Sequence, residues 1–198
     1  MKLYSHPGTC SSAAHIALLE ADLNFDLVKV DLYSDRKLPD GRTLSDVNSK
    51  GYVPALELDS GEVLTENVAV LQYIADQSPD SGLAPVAGSL ERYRLQEWLG
   101  YVNCELHAGI GPMFNPDLPD EVKAKVLERF IGKLAHVENS LAGQDYLMGD
   151  QFTVADAYLF IVMTWTAMFD VNLPTNISAF QERCLARPHV ATVKAAAT

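Results

Sequence analysis

The sequence predicts a two-part chain of the class α/β plus all-α, a small mixed α/β domain followed by a helical-bundle domain. Three observations carry this. Short strand patterns occur only in the first eighty residues. Gly82, Pro85 and Gly88 then punctuate the stretch Ser81–Ser89, as a linker would. Beyond it, apolar residues recur at spacings of three and four almost to the end. The expected bounds are 1–80 for the first domain, 81–88 for the linker and 89–198 for the helical domain.

Lys2–Ser5 reads as a strand stopped by His6-Pro7-Gly8. Ser11 or Ser12 can cap a helix running to about Ala21, with Ile16, Leu19 and Leu23 on one face. Leu27–Val30 reads as a second strand and Ser34–Arg42 as a loop. Ala55–Leu58 alternates, Asp59-Ser60-Gly61 turns and Glu62–Thr65 returns, which predicts a hairpin. A helix carrying Val68, Leu71 and Ala75 follows and ends at Ser78-Pro79-Asp80. In the second part, Leu95, Trp98, Leu99, Val102 and Leu106 form one helical stripe; Val122, Val126, Leu127, Ile131 and Leu134 form another. Thr153-Val154-Ala155-Asp156 is a capping box that opens a buried apolar helix.

With 198 residues, 26 acidic and 15 basic side chains, the chain carries a formal net charge of −11. That balance repels phosphate backbones and anionic lipid, so neither nucleic acid nor a membrane is an expected partner. The run Ala157–Phe169 is bounded by Asp156 and Asp170; as a helix it spans about 20 Å, short of a bilayer core. No signal peptide is apparent at Met1–Gly8. Cys10, Cys104 and Cys184 are odd in number and widely spaced, which points to a reducing, cytoplasmic setting and away from a disulfide framework or a structural metal site. No G-x-G-x-x-G follows a strand and no G-x-S-x-G elbow is present.

Cys10 is the most informative residue. It sits in the turn Pro7-Gly8-Thr9-Cys10-Ser11-Ser12, at the mouth of the first helix. Unpaired amides and the helix dipole there favour a thiolate, either its own or that of a small molecule beside it. A small buried hydrophobe is the plain alternative. Val53-Pro54 opens the hairpin; the proline either starts a strand at no cost or forms a cis bond that turns the Val53 backbone outward to pair with an extended peptide. Glu66 and Asn67 begin a helix, as caps or as a grip on a ligand's amino and carboxylate groups. Cys104 and His107, with Gly100 and Gly111, mark a small-residue helix face that could border a cleft.

Five segments in this order resemble the bacterial, beta-class glutathione transferases over essentially the whole chain. They are Pro7–Ser11, Gly51–Leu56, Leu64–Asn67 with Gln72–Asp76, Glu105–His107 and Phe152–Tyr158. The resemblance implies a thioredoxin-like N-terminal domain, a helical C-terminal domain, a homodimer, and glutathione as co-substrate with no resident cofactor or metal. It implies Cys10 beside the glutathione sulfur, with His107 as its catalytic companion. It also implies Val53 paired with the tripeptide backbone, a cis Pro54, and Glu66 and Asn67 at the γ-glutamyl end. Ser11, Lys37, Cys104 and His107 complete the implied contacts. Gly100 and Ala108 depart from the family, which often carries asparagine and lysine there. The expected activity is conjugation of the glutathione thiolate to small hydrophobic electrophiles. The alternatives are thiol–disulfide exchange through Cys10 and a non-catalytic ligand carrier.

Overall fold

The computed structural model describes Met1 to Ala197. The chain divides into two compact units: Met1–Ala84 together with the segment from Leu185 onward, and Pro85–Cys184.

The first unit is built on a four-stranded sheet in the order β2-β1-β3-β4, with β1 Lys2–Ser5, β2 Asp26–Lys29, β3 Ala55–Glu57 and β4 Val63–Thr65. β1 and β2 are parallel, Leu3 opposite Leu27, so the chain must cross over between them. Helix α1, Ser11–Glu20, is that crossover. β3 lies antiparallel to β1, Leu56 opposite Leu3, and the hairpin returns as β4 with Leu64 opposite Leu56. Gly61 takes a φ of +85° in the hairpin turn, a conformation open to glycine at little cost.

α1 is buried along most of its circumference, at Ser11–Ala14 and Ile16–Leu18. Ala13, Ala14 and Ala17 let α3, Asn67–Gln77, and α9, Pro188–Ala195, both lie against it. This corrects the one-sided stripe expected from Ile16, Leu19 and Leu23: with neighbours on two sides, Leu18 is fully buried and Leu19 only partly. A short helix that the sequence did not announce, α2 Leu44–Val47, is held by a Thr43–Asp46 capping box. It sets Leu44 into a cluster with Tyr4, Val30, Leu38, Val53 and Ala55.

The segment from Leu185 onward, expected with the helical domain, belongs instead to the first unit. Arg187 grips the Glu20 carboxylate at the end of α1, Nε to Oε1 at 3.1 Å, and Val190 and Val193 are buried. A helix this short follows its anchoring contacts, not its place in the chain.

The second unit is helical. α4, Leu90–Tyr101, starts at Ser89, whose hydroxyl accepts from the Arg92 amide at 3.1 Å. It runs without a break into a wider π turn, Val102–His107, then α5, Ala108–Ile110, and a tight turn at Gly111–Phe114. α6, Asp120–Ser140, buries Phe130, Leu134 and Val137, while Val122 and Ile131 are exposed. Of the expected stripe, Leu134 is buried and Val126 and Leu127 are half-buried, while Val122 and Ile131 give way to Phe130 and Val137. α7, Val154–Thr164, is buried on all sides from Val154 to Met163 and continues as a tight turn, Trp165–Phe169. α8, Thr175–Leu185, begins where the Asn176 and Ile177 amides donate to the Glu138 carboxylate. Among the described residues, no helix is long and apolar enough to cross a membrane.

Candidate functional site

In the first unit, the turn after β1 brings Cys10 to the N-terminus of α1. Neither Ser11 nor Ser12 caps the helix; Cys10 itself occupies the cap position. The Ser11 hydroxyl is fully buried and knits the turn together, lying 2.8 Å from Ser5 Oγ and 2.7 Å from Thr9 Oγ1 and accepting from the His6 amide at 3.1 Å. The Ser11 hydroxyl is thus committed within the turn. The Ser12 hydroxyl accepts from the Gly8 amide at 3.1 Å.

The thiol of Cys10 donates to the Val53 carbonyl at 3.4 Å, so two of the residues singled out in the sequence meet. The Val53–Pro54 peptide is cis. Burial pushes the Cys10 thiol up to about 12, against the pull of the Ser11 and Cys10 amides and with a small push from the Glu66 carboxylate. Of the readings the sequence left open, desolvation outweighing the amides favours a protonated Cys10 thiol, able to donate to a sulfur placed beside it. Iodoacetamide at neutral pH should accordingly modify the exposed Cys104 at least about a hundredfold faster than Cys10, because alkylation follows the thiolate. The Cys10 rate should climb steadily with pH, and peptide mass mapping reads both.

Glu66 ends β4 with a φ of +69°, a strained position for a residue with a Cβ. Its carboxylate pairs with Lys50, which also donates to Thr65 Oγ1 at 2.9 Å. Lys50 is a site neighbour the sequence reading missed; no motif distinguishes it from other surface lysines. Next in the chain, Asn67 is almost fully buried, yet neither its Nδ2 nor its Oδ1 has a hydrogen-bond partner among the described residues. A buried amide whose donor and acceptor both stay unmet costs free energy. Lys37 is not drawn into this group. It is exposed and paired with Asp35 at 2.7 Å.

In the second unit, the π turn presents Asn103, Cys104 and His107. Cys104 is exposed, with Asn103 Nδ2 directed at its sulfur at 3.8 Å. His107 turns inward. Its Nδ1 lies 2.6 Å from the hydroxyl of the fully buried Tyr158, which in turn lies 2.9 Å from Asn103 Oδ1. Burial alone moves the His107 pKa below its ordinary value. An aromatic chain extends from it: Trp165 at 4.9 Å between centroids, then Phe114 at 5.5 Å from Trp165, then Phe169 at 5.2 Å from Phe114. Phe114 and Met168 expose apolar surface. A side chain at Gly100 would meet open space. Among the described residues, no group of three or more His, Cys, Asp or Glu side chains could hold a metal ion.

Known proteins share this arrangement. The model of the glutathione S-transferase N-terminal domain matches residues 8–77, and that of the C-terminal domain matches residues 101–188. The chain is 45% identical over 192 residues to the glutathione S-transferase GstA of Escherichia coli O157:H7, covering 96% of this chain and 95% of that protein. It superposes on the ternary complex of BphK, a bacterial GST, with a TM-score of 0.96 and 46% identity, covering 100% of this chain and 99% of the other. It superposes on the bacterial beta-class enzyme of Sphingomonas chungbukensis with a TM-score of 0.93 and 44% identity, covering 100% and 98%.

Proposed function

Because this chain belongs to the glutathione S-transferase family and stands with its bacterial beta class, we propose that it transfers the glutathione thiolate to small hydrophobic electrophiles, working through Cys10 and His107. The observation that carries the substrate assignment is Asn67. Its buried amide offers one donor group and one acceptor without partners, and the γ-glutamyl end of glutathione brings both a carboxylate and an ammonium. Glu66 beside it supplies an anionic contact for the ammonium, and Val53 a backbone for the tripeptide.

The chemistry then has few steps. The glutathione thiol gives its proton to His107, and the resulting thiolate is held by the Cys10 thiol as donor, by the Cys10 and Ser11 amides and by the positive end of α1. The sulfur forms a bond to an electrophilic carbon. Where that carbon bears a halide, the carbon–halogen bond breaks and its electron pair leaves with the halide, while the proton passes from His107 to water. The aromatic chain of Trp165, Phe114 and Phe169 supports an apolar, ring-bearing electrophile. Exchange through Cys10 draws no such support, since a half-buried thiol that desolvation pushes up to about 12 is a poor attacking group.

In this reading the enzyme acts as a homodimer in a reducing cytoplasm. The exposed apolar side chains Val86, Leu90 and Tyr93 near the start of α4 support a covered surface there, and three free cysteines suit that compartment. Turnover of an activated aryl halide with glutathione tests the proposal. Asn67→Leu should raise the glutathione KM about tenfold, as expected for loss of one buried charge-assisted contact, with kcat changed far less. No turnover, or an unchanged KM in Asn67→Leu, would remove the assignment.

A further inference from the structure

Tyr158 lies in the middle of α7 and is fully buried, so its hydroxyl must find partners inside the protein. On the π turn it meets Asn103 Oδ1 at 2.9 Å and His107 Nδ1 at 2.6 Å. A phenol has one proton to give, and an amide oxygen has none. The Tyr158 proton is therefore committed to Asn103. The Asn103 amide turns its Oδ1 to the phenol and its Nδ2 toward Cys104 Sγ, 3.8 Å away. With its proton spent, the phenol oxygen can only accept from the imidazole, and Nδ1 must carry a hydrogen. A neutral imidazole protonated at Nδ1 keeps its lone pair at Nε2.

The ring is also held in place. Its plane stands 85° to that of Tyr158 and 64° to that of Trp165, with centroids 5.8 Å and 4.9 Å away, so a flip exchanging the two nitrogens would have to displace both neighbours. The π turn supplies the pair of side chains that brackets one hydroxyl, and such turns occur often at functional sites.

We propose that Tyr158, oriented by Asn103, is a positioning residue that locks neutral His107 in its Nδ1-protonated tautomer, leaving Nε2 as the acceptor for the glutathione thiol proton. The inference rests on the reading of His107 as proton acceptor given above and adds to it the residues that make it one. Tyr158 touches no reacting atom in this scheme. It acts through the ring.

NMR of isotope-labelled histidine side chains in the full-length protein tests the tautomer without any turnover. The wild type should show His107 protonated at Nδ1 and bare at Nε2. Asn103→Ala frees the phenol proton for Nδ1 and should reverse the tautomer; Asn103→Asp restores an acceptor and should restore the wild-type form. Tyr158→Phe keeps the ring that fills the space, so the fold survives. It should give a mixture of tautomers and lower kcat/KM for an aryl halide about tenfold, chiefly through kcat. A purely structural tyrosine would change the melting temperature and leave the tautomer alone. Protonation at Nε2 in the wild type, or an Nδ1 proton retained in Asn103→Ala, overturns the relay whatever the kinetics. Full activity in His107→Ala is a different failure: it removes the base role while the spectra stand.

Discussion

Asp156→Ala should lower the stability of the protein by about 3 kcal/mol at neutral pH, the largest loss expected from one polar substitution here. The carboxylate is fully buried and accepts three hydrogen bonds: from the Leu147 amide at 2.8 Å, the Thr153 amide at 2.8 Å and the Thr153 hydroxyl at 2.7 Å. Alanine leaves two buried backbone donors unmet, each costing about 1–2 kcal/mol, whereas the hydroxyl can rotate away. The acid also has a pH signature. Burial pushes its folded pKa up to about 6 despite those donors, against an ordinary value of 3.8. Between these values the fold holds the proton more tightly than the unfolded chain, so this group's contribution to stability falls as pH rises through the interval and is level above it. Urea midpoints across that range should show the slope in the wild type and its absence in Asp156→Ala. An alanine variant within about 0.5 kcal/mol of wild type would show that Leu147 and Thr153 find other acceptors. The substitution should reach the chemistry as well, because the helix begun by Thr153 and Asp156 carries Tyr158.

What the sequence revealed followed from how local the signal was. The Thr153–Asp156 box, the Asp59-Ser60-Gly61 hairpin turn and the cysteine at the mouth of α1 are each decided within four or five residues, and each was legible. Cys10 was found, but which sulfur would carry the charge stayed open, since its ionisation depends on burial that only the assembled fold supplies. The α6 stripe held at Leu134 but not at Val122 and Ile131, because period alone does not say how far an apolar face is turned; burying Phe130 turns it. The Leu185 segment was assigned by position along the chain, while the Arg187–Glu20 contact that places it joins residues 167 apart. Tyr158 and Asn103 were unreadable for a plainer reason. One looks like part of an apolar run, the other like a surface residue, and the π turn that lets both reach His107 leaves no mark in a helical periodicity.

His107→Ala should lower kcat/KM for an activated aryl halide by about a hundredfold and change the glutathione KM little, as removal of a general base does. The expected pH profile follows from the sign of the histidine shift. Desolvation disfavours the imidazolium, so the His107 pKa lies below its usual value and the ring is neutral at and above physiological pH. The wild-type rate should therefore rise as pH climbs through the acid side of about 6.5 and then level, since the acceptor is fully formed. In His107→Ala that early rise disappears. The remaining rate should keep increasing toward the ordinary thiol range, about 8.5, because the substrate must then ionise to water, helped only by the Cys10 donor and the α1 amides. Cys10→Ala gives the converse pattern: the early rise survives, while the plateau drops several-fold through loss of one hydrogen bond to the thiolate. A plateau of unchanged height and position in His107→Ala would take the histidine out of the reaction and leave ionisation to the first unit alone.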